Sequence, residues 1–338
     1  MSDARAWLRK NWFVAGIAGA VLIAFIAPGP GSPDGWLRPS VTTKAAVALI
    51  FFFQGLSLNF AELRKGIASV RLHLFVEGFI FVVFPLLGLL ADATAFRFLP
   101  QDMRTGFLFL CVLPTTISTA VVYTALAGGN TAGALFNASI SNIAGVAITP
   151  LWVSAILSMG GSSMDLAPVI GSIASLVLVP IVIGQIVRPA VRNTAAALTP
   201  FMRNASSVLI LMMVYTAFAG SVAKGTWHGL GAGAIAGALV GSCVILAITM
   251  AGAWWGSRAA RFNEGDRIAA FMCAPQKTLG AGVPMAQLIF AGNPALGLIL
   301  LPVLIYHPVQ LLVGAWFIPR LKARVAAAEA ASPVQSGD

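Results

Sequence analysis

Two charged residues, Glu77 and Lys277, fall well inside long apolar runs, while the other acidic and basic residues gather between such runs. A charge at the centre of a bilayer costs about 2.5–3.5 kcal/mol, so each is expected to face the protein interior and to find a partner. Lys277 stands in ProGlnLysThrLeuGlyAlaGly from Pro275, and Glu77 has His73 one helical turn behind it on the same face. The pair is expected within salt-bridge reach in at least one state, either as a structural bridge docking two helices or as a group that gains and loses a proton during work. A second polar stretch, ProThrThrIleSerThr, runs from Pro114 through Thr115, Thr116, Ser118 and Thr119. Proline among polar neighbours in mid-membrane frees carbonyls and amides that hydrocarbon cannot satisfy, so both stretches should unwind and face protein or a water-filled cavity. Thr115, Thr116, Thr119, Gln276 and Thr278 then offer oxygens to a cation, and the amino ends of half-helices offer amides to an anion. Asn130, Asn137, Asn293 and His307 complete the candidate substrate and cation site. His307 precedes Pro308 and reads as a helix-packing residue, with a proton relay as the alternative.

Other chemistry finds little support. The three histidines and the three cysteines (Cys111, Cys243, Cys273) have no metal-ligand spacing. No nucleophile triad, phosphate-binding loop or membrane-protease motif is visible, so an enzyme is not expected. No cofactor is expected beyond a sodium ion.

The elements that must hold these residues are membrane helices. The chain has 338 residues, 58% hydrophobic and 9% charged, against about 25% charged in a soluble domain. That excludes a soluble globule, and a chain this apolar is not disordered. The net charge of +10 sits in short clusters between apolar runs, which records membrane orientation and not a nucleic-acid partner. A span needs about 20 mostly apolar residues. On that basis the chain reads as an all-α polytopic membrane protein with ten spans: 11–28, 41–59, 70–91, 105–127, 131–158, 166–187, 205–222, 229–256, 267–290 and 295–318. Breaks fall at Pro28, Glu62, Gly128, Gly160 and Asn263. The first run has the basic start of a signal peptide, but it ends in AlaProGlyPro without a small-x-small site and is kept as a helix. Residues 321–338 read as a disordered cytoplasmic tail.

Counting Lys and Arg on the two sides of the ten-span model gives fifteen against five. The richer side includes Arg9 and Lys10, Arg64 and Lys65, Arg188 and Arg192, Arg258 and Arg261, and Arg320 and Arg324. The poorer side holds Arg38, Lys44, Arg97, Arg104 and Lys224. The positive-inside rule then puts both termini in the cytoplasm, in a bacterial inner membrane.

Two stretches half a chain apart resemble each other. Cys111, Pro114, Thr115 and Thr116 precede GlyGlyAsn ending at Asn130. Cys273, Pro275, Gln276, Lys277 and Thr278 precede AlaGlyAsn ending at Asn293, and the Cys-to-Asn spacings are 19 and 20. Five spans per copy turn the second copy upside down, dividing the chain into an inverted pair, 1–158 and 159–320, as in secondary transporters.

PheGlnGlyLeuSerLeu at Phe53, LeuHisLeuPheValGlu at Leu72, AlaGlyGlyAsn at Ala127, GlnLysThrLeuGlyAlaGlyValProMet at Gln276 and LeuIleTyrHisProValGln at Leu304 resemble the bile acid:sodium symporter family (solute carrier family 10). Within it they are most similar to the branch of human member 7 and its bacterial relatives, over about Trp12 to Pro319. The resemblance implies two inverted five-helix repeats forming a core domain (spans 3–5 and 8–10) and a panel domain (spans 1, 2, 6 and 7), with broken spans 4 and 9 crossing in the core. Sodium and an organic anion bind beside that crossing in the family. Sodium-binding members have Ser-Asn where this chain has Thr119 and Ala120, Glu where it has Met272, and Asn-Ser where it has Lys277 and Thr278. Thr119, Gln276 and Thr278 therefore match in type as sodium oxygens, and the acidic ligand and the Asn have no counterpart. The Lys277 ammonium would supply the positive charge that sodium supplies in those members.

The function this implies is cation-coupled secondary transport of a small organic anion, with sodium or a proton as the coupling cation, by rocking of core against panel in contact with membrane lipid. The alternative, suggested by the human relative, is a non-transporting regulator of calcium or ion homeostasis acting through partners.

Overall fold

A computed structural model of the chain describes residues 12–58, 66–159 and 166–331, and every regular element among them is a helix. The predicted breaks at Glu62 and Gly160, and basic residues 5, 9, 10, 64 and 65, lie outside the described residues. The elements are α1 (Trp12–Ile26), α2 (Pro39–Ser57), α3 (Val70–Ala93), α4 (Gln101–Val112), α5 (Ser118–Leu126), α6 (Thr131–Met159), α7 (Leu166–Ile173 through Val179–Val187), α8 (Arg192–Ala223), α9 (Ala232–Ala259), α10 (Glu264–Cys273), α11 (Leu279–Ile289) and α12 (Leu296–Ala331). Six stretches among the described residues are long and apolar enough to cross a membrane, in α2, α3, α6, α8, α9 and α12. α1 and α11 are apolar but shorter.

Several helices outrun the apolar stretches. α8 begins at Arg192, not near 205, and α12 runs to Ala331, so residues 321–331 are helical where a disordered tail was expected. Hydropathy marks the membrane slab, but the Ala-rich flanks AlaAlaAlaLeu and AlaAlaAlaGluAlaAla are strong helix formers in any solvent. Ser332 to Asp338 lie outside the described residues.

Proline shapes α3 and α7 in a way that simple kinks do not capture. A π turn, Phe79–Val83, precedes Pro85, and another, Ala174–Leu178, precedes Pro180. The ring nitrogen of Pro85 has no proton to return to Phe81, so the ladder shifts, and Phe84 N–H bonds the Phe79 carbonyl instead. The orphaned Phe81 carbonyl accepts from Trp152 Nε1 at 3.0 Å.

Packing forms two neighbourhoods. α7 and α8 lie on α2, and α8 also lies on α1. In the second, α12 packs on α4 and α9, α10 lies on α5, α6 and α9, and α6 contacts α4 and α5. α8 joins the two through α11 and α12. Small residues set the closest approaches. A methyl on Gly55 would run into the carbonyl of Ile181, one on Gly184 into that of Phe52, and one on Gly106 into that of Ile299.

Candidate functional site at two helix breaks

Helix stops at Val112 and resumes at Ser118, and stops again at Cys273 and resumes at Leu279. The first gap holds Pro114, Thr115 and Thr116; the second holds Pro275, Gln276 and Lys277. The gaps meet, because Thr278 N–H donates to the Pro114 carbonyl at 3.2 Å and Thr115 Oγ1 donates to the Cys273 carbonyl at 2.6 Å.

Nearly every main-chain carbonyl that the first gap frees has an identifiable partner, as a buried site demands. Leu110 accepts from Leu113 N–H, Val112 from Thr149 Oγ1 at 2.8 Å, Thr115 from Asn142 Nδ2 at 2.8 Å, and Cys111 and Leu113 from the Lys277 ammonium. Thr115 N–H finds Ser141 Oγ at 3.2 Å. The second gap is satisfied mainly by α12. Tyr306 donates its hydroxyl to the Pro275 carbonyl at 2.6 Å. Gln310 brackets Lys277, accepting from its N–H and donating to its carbonyl, both at 2.8 Å. His307 Nδ1 lies 3.3 Å from the same carbonyl and 3.0 Å from Gln310 Nε2.

Side-chain oxygens gather on one side of this junction. Thr119 Oγ1 donates to Gln276 Oε1 at 2.8 Å and lies 3.2 Å from Thr116 Oγ1. Thr278 is engaged otherwise, its hydroxyl oxygen capping α11 by accepting from Gly280 N–H at 3.0 Å. Ser118 is exposed at the first turn of α5, whose amino end has no side-chain cap.

The remaining predicted residues divide. Asn130 caps α6 through Gly133 N–H at 2.8 Å and donates to Asp266 at 2.7 Å, and Asn293 accepts from Ala295 N–H at 2.8 Å before α12. Both are turn residues placed beside a left-handed glycine, Gly128 or Gly292, and neither hydrogen-bonds to the junction. Asn137 is fully buried, with Oδ1 2.9 Å from His73 Nδ1. Glu77 makes no ion pair with Lys277 in this conformation, and both its carboxyl oxygens are buried without a hydrogen-bond partner among the described residues. In this conformation main-chain carbonyls surround Lys277 in place of the salt bridge expected in at least one state.

Sequence reasoning passed over Ser141, Asn142, Thr149, Tyr306 and Gln310. The last two lie inside LeuIleTyrHisProValGln, and the first three interrupt an apolar helix with polar side chains at buried positions.

An all-helical membrane chain with two unwound segments joined in its interior has the build of a transporter, and comparison of sequences gives the class. The chain belongs to the SBF-like CPA transporter family, whose model matches residues 11–323. This is a transport family and not one of enzymes, and it fits the resemblance to the bile acid:sodium symporters. Among relatives, the chain is 36% identical over 280 residues to the Escherichia coli protein named "Putative symporter YfeH", covering 83% of this chain and 84% of that one. It is 32% identical over 320 residues to "Sodium/bile acid cotransporter 7" of Danio rerio, covering 94% and 95%. The protein of that name in Mus musculus is 33% identical over 321 residues, covering 93% of each chain.

Proposed function

We propose that this protein is a secondary transporter that couples movement of a cation, sodium or a proton, to that of an organic anion. The observation that carries the reading is the junction itself, where two broken helices exchange main-chain hydrogen bonds and Thr116, Thr119 and Gln276 collect oxygens beside it. Unwound backbone is tolerated at membrane depth only where protein or a cavity surrounds it, and half-helix ends there favour ions. The uncapped amino end of α5 offers amides and a positive dipole end to an anion. The names of the animal relatives bring sodium and a bile-acid-like anion to the reading.

In this reading the chain crosses the membrane ten times as two inverted halves, 1–158 and 159–320, with both termini cytoplasmic. α1, α2, α7 and α8 form a panel that rocks against the other helices. The two packing neighbourhoods, joined chiefly through α8, support that division. Glu77, a buried carboxyl with no hydrogen-bond partner among the described residues, is the group to carry a coupling proton.

The test is uptake of labelled organic anions into proteoliposomes under an imposed sodium or proton gradient. Accumulation that collapses with the gradient is the expected result. A regulator acting through partners would show none.

A further inference from the structure

Lys277 is 1% exposed and makes no ion pair with a carboxylate among the described residues. Nζ lies 2.7 Å from the Leu113 carbonyl, 3.1 Å from that of Cys111 and 3.5 Å from that of Ile80, and 3.9 Å from the centre of the Phe84 ring. Three acceptors face a group with three donors, and carbonyl oxygens can only accept, so the enclosure suits a cation. The ring adds the negative face of its quadrupole.

These three oxygens are free for separate reasons. Cys111 and Leu113 lose their helical partners because α4 ends at the Pro114 gap. Ile80 loses its partner because Phe84 N–H is given to Phe79 and the next residue, Pro85, has no N–H. Two backbone distortions from different helices thus turn oxygens toward one point, as in sites where carbonyls replace the hydration shell of an alkali ion.

We propose that this carbonyl enclosure is a monovalent-cation site that the chain keeps filled with its own ammonium. An exchangeable coupling ion is consequently confined to the oxygens on the Thr119–Gln276 side or to Glu77. The inference deepens the reading of the junction as a cation-coupled site and rests on it for its meaning in transport. Its test reads binding alone, so the two can fail separately.

Lys277→Ala empties the enclosure and removes the atoms of propylammonium. Thermal unfolding of the purified full-length protein is followed in choline chloride, with propylammonium or sodium substituted at constant ionic strength. Lys277→Met, which fills the space without charge, and the native protein serve as references. Lys277→Ala is expected to melt lower than native in choline and to rise saturably by about 4 °C or more with propylammonium. Sodium is expected to raise it beyond any sodium effect in the two references, which propylammonium should leave unmoved. Should Lys277→Ala not survive purification in choline, recovery of folded protein with either small cation is the same result. Equal melting of Lys277→Ala in all three salts, failure of both cations to recover it, or an equal propylammonium shift in Lys277→Met would overturn the proposal.

Discussion

Lys277 Nζ donates to the Leu113 carbonyl at 2.7 Å, so the second helix break supplies the hydrogen bond that the first one lacks. The dependence runs both ways, since Thr115 Oγ1 closes the Cys273 carbonyl. Neither gap can be satisfied alone, which makes the junction a single unit.

The oxygens beside that unit should be coupled. Thr119→Val and Gln276→Leu are each expected to destabilise the protein modestly, and the double variant by less than their sum. The coupling should be about 0.5–1.5 kcal/mol, the worth of one hydrogen bond. Unfolding of the four proteins in one detergent measures it, and full additivity would mean that the 2.8 Å contact contributes nothing.

Support from α6 is expected to matter as much as the gaps themselves. Thr149→Val keeps the shape but leaves the Val112 carbonyl buried without its donor, at a cost of about 1–3 kcal/mol. Thr131→Val, at the exposed start of the same helix, should change little. Comparable losses in the two would show that the carbonyl is satisfied another way.

Close approach between α4 and α12 predicts a steric result. Gly106→Ala sets a methyl against the Ile299 carbonyl, which is main chain and cannot rotate away. A loss of about 1–3 kcal/mol is expected. Gly78→Ala, where no atom stands in the way, should not destabilise and is the control in the same thermal assay.

How far the sequence reaches can be judged from these residues. The gaps were readable because Pro114 and Pro275 stand among polar side chains in apolar runs, a conflict that hydrocarbon does not tolerate. The partners were not. Lys277 suggested an acidic mate because opposite charges are the familiar solution, yet three carbonyls freed by a proline gap and a π turn do the work, and no side-chain pattern announces a carbonyl. Asn130 and Asn293 show the converse, since their matched spacing reflected a repeated turn and not the junction. The family was legible from short motifs and is borne out by the matched model.

The proposed orientation rests on the distribution of Lys and Arg. In a Cys243→Ser background, cysteines at exposed Asp34 and Lys224 should react with an impermeant maleimide in intact cells, and one at exposed Arg258 only after permeabilisation. Reversed labelling would overturn the cytoplasmic termini.

The central claim is that the junction moves an organic anion against its gradient. Its most direct measurement is gradient-driven uptake in proteoliposomes by the native protein beside Gln276→Ala, both verified as folded by thermal unfolding. The account predicts that the native protein accumulates the anion and loses it when an ionophore dissipates the cation gradient, while Gln276→Ala retains less than about one tenth of the initial rate, the loss from removing roughly 1.4 kcal/mol or more of site interaction. Absence of gradient-driven accumulation in the native protein, or an unchanged rate in Gln276→Ala, would contradict it.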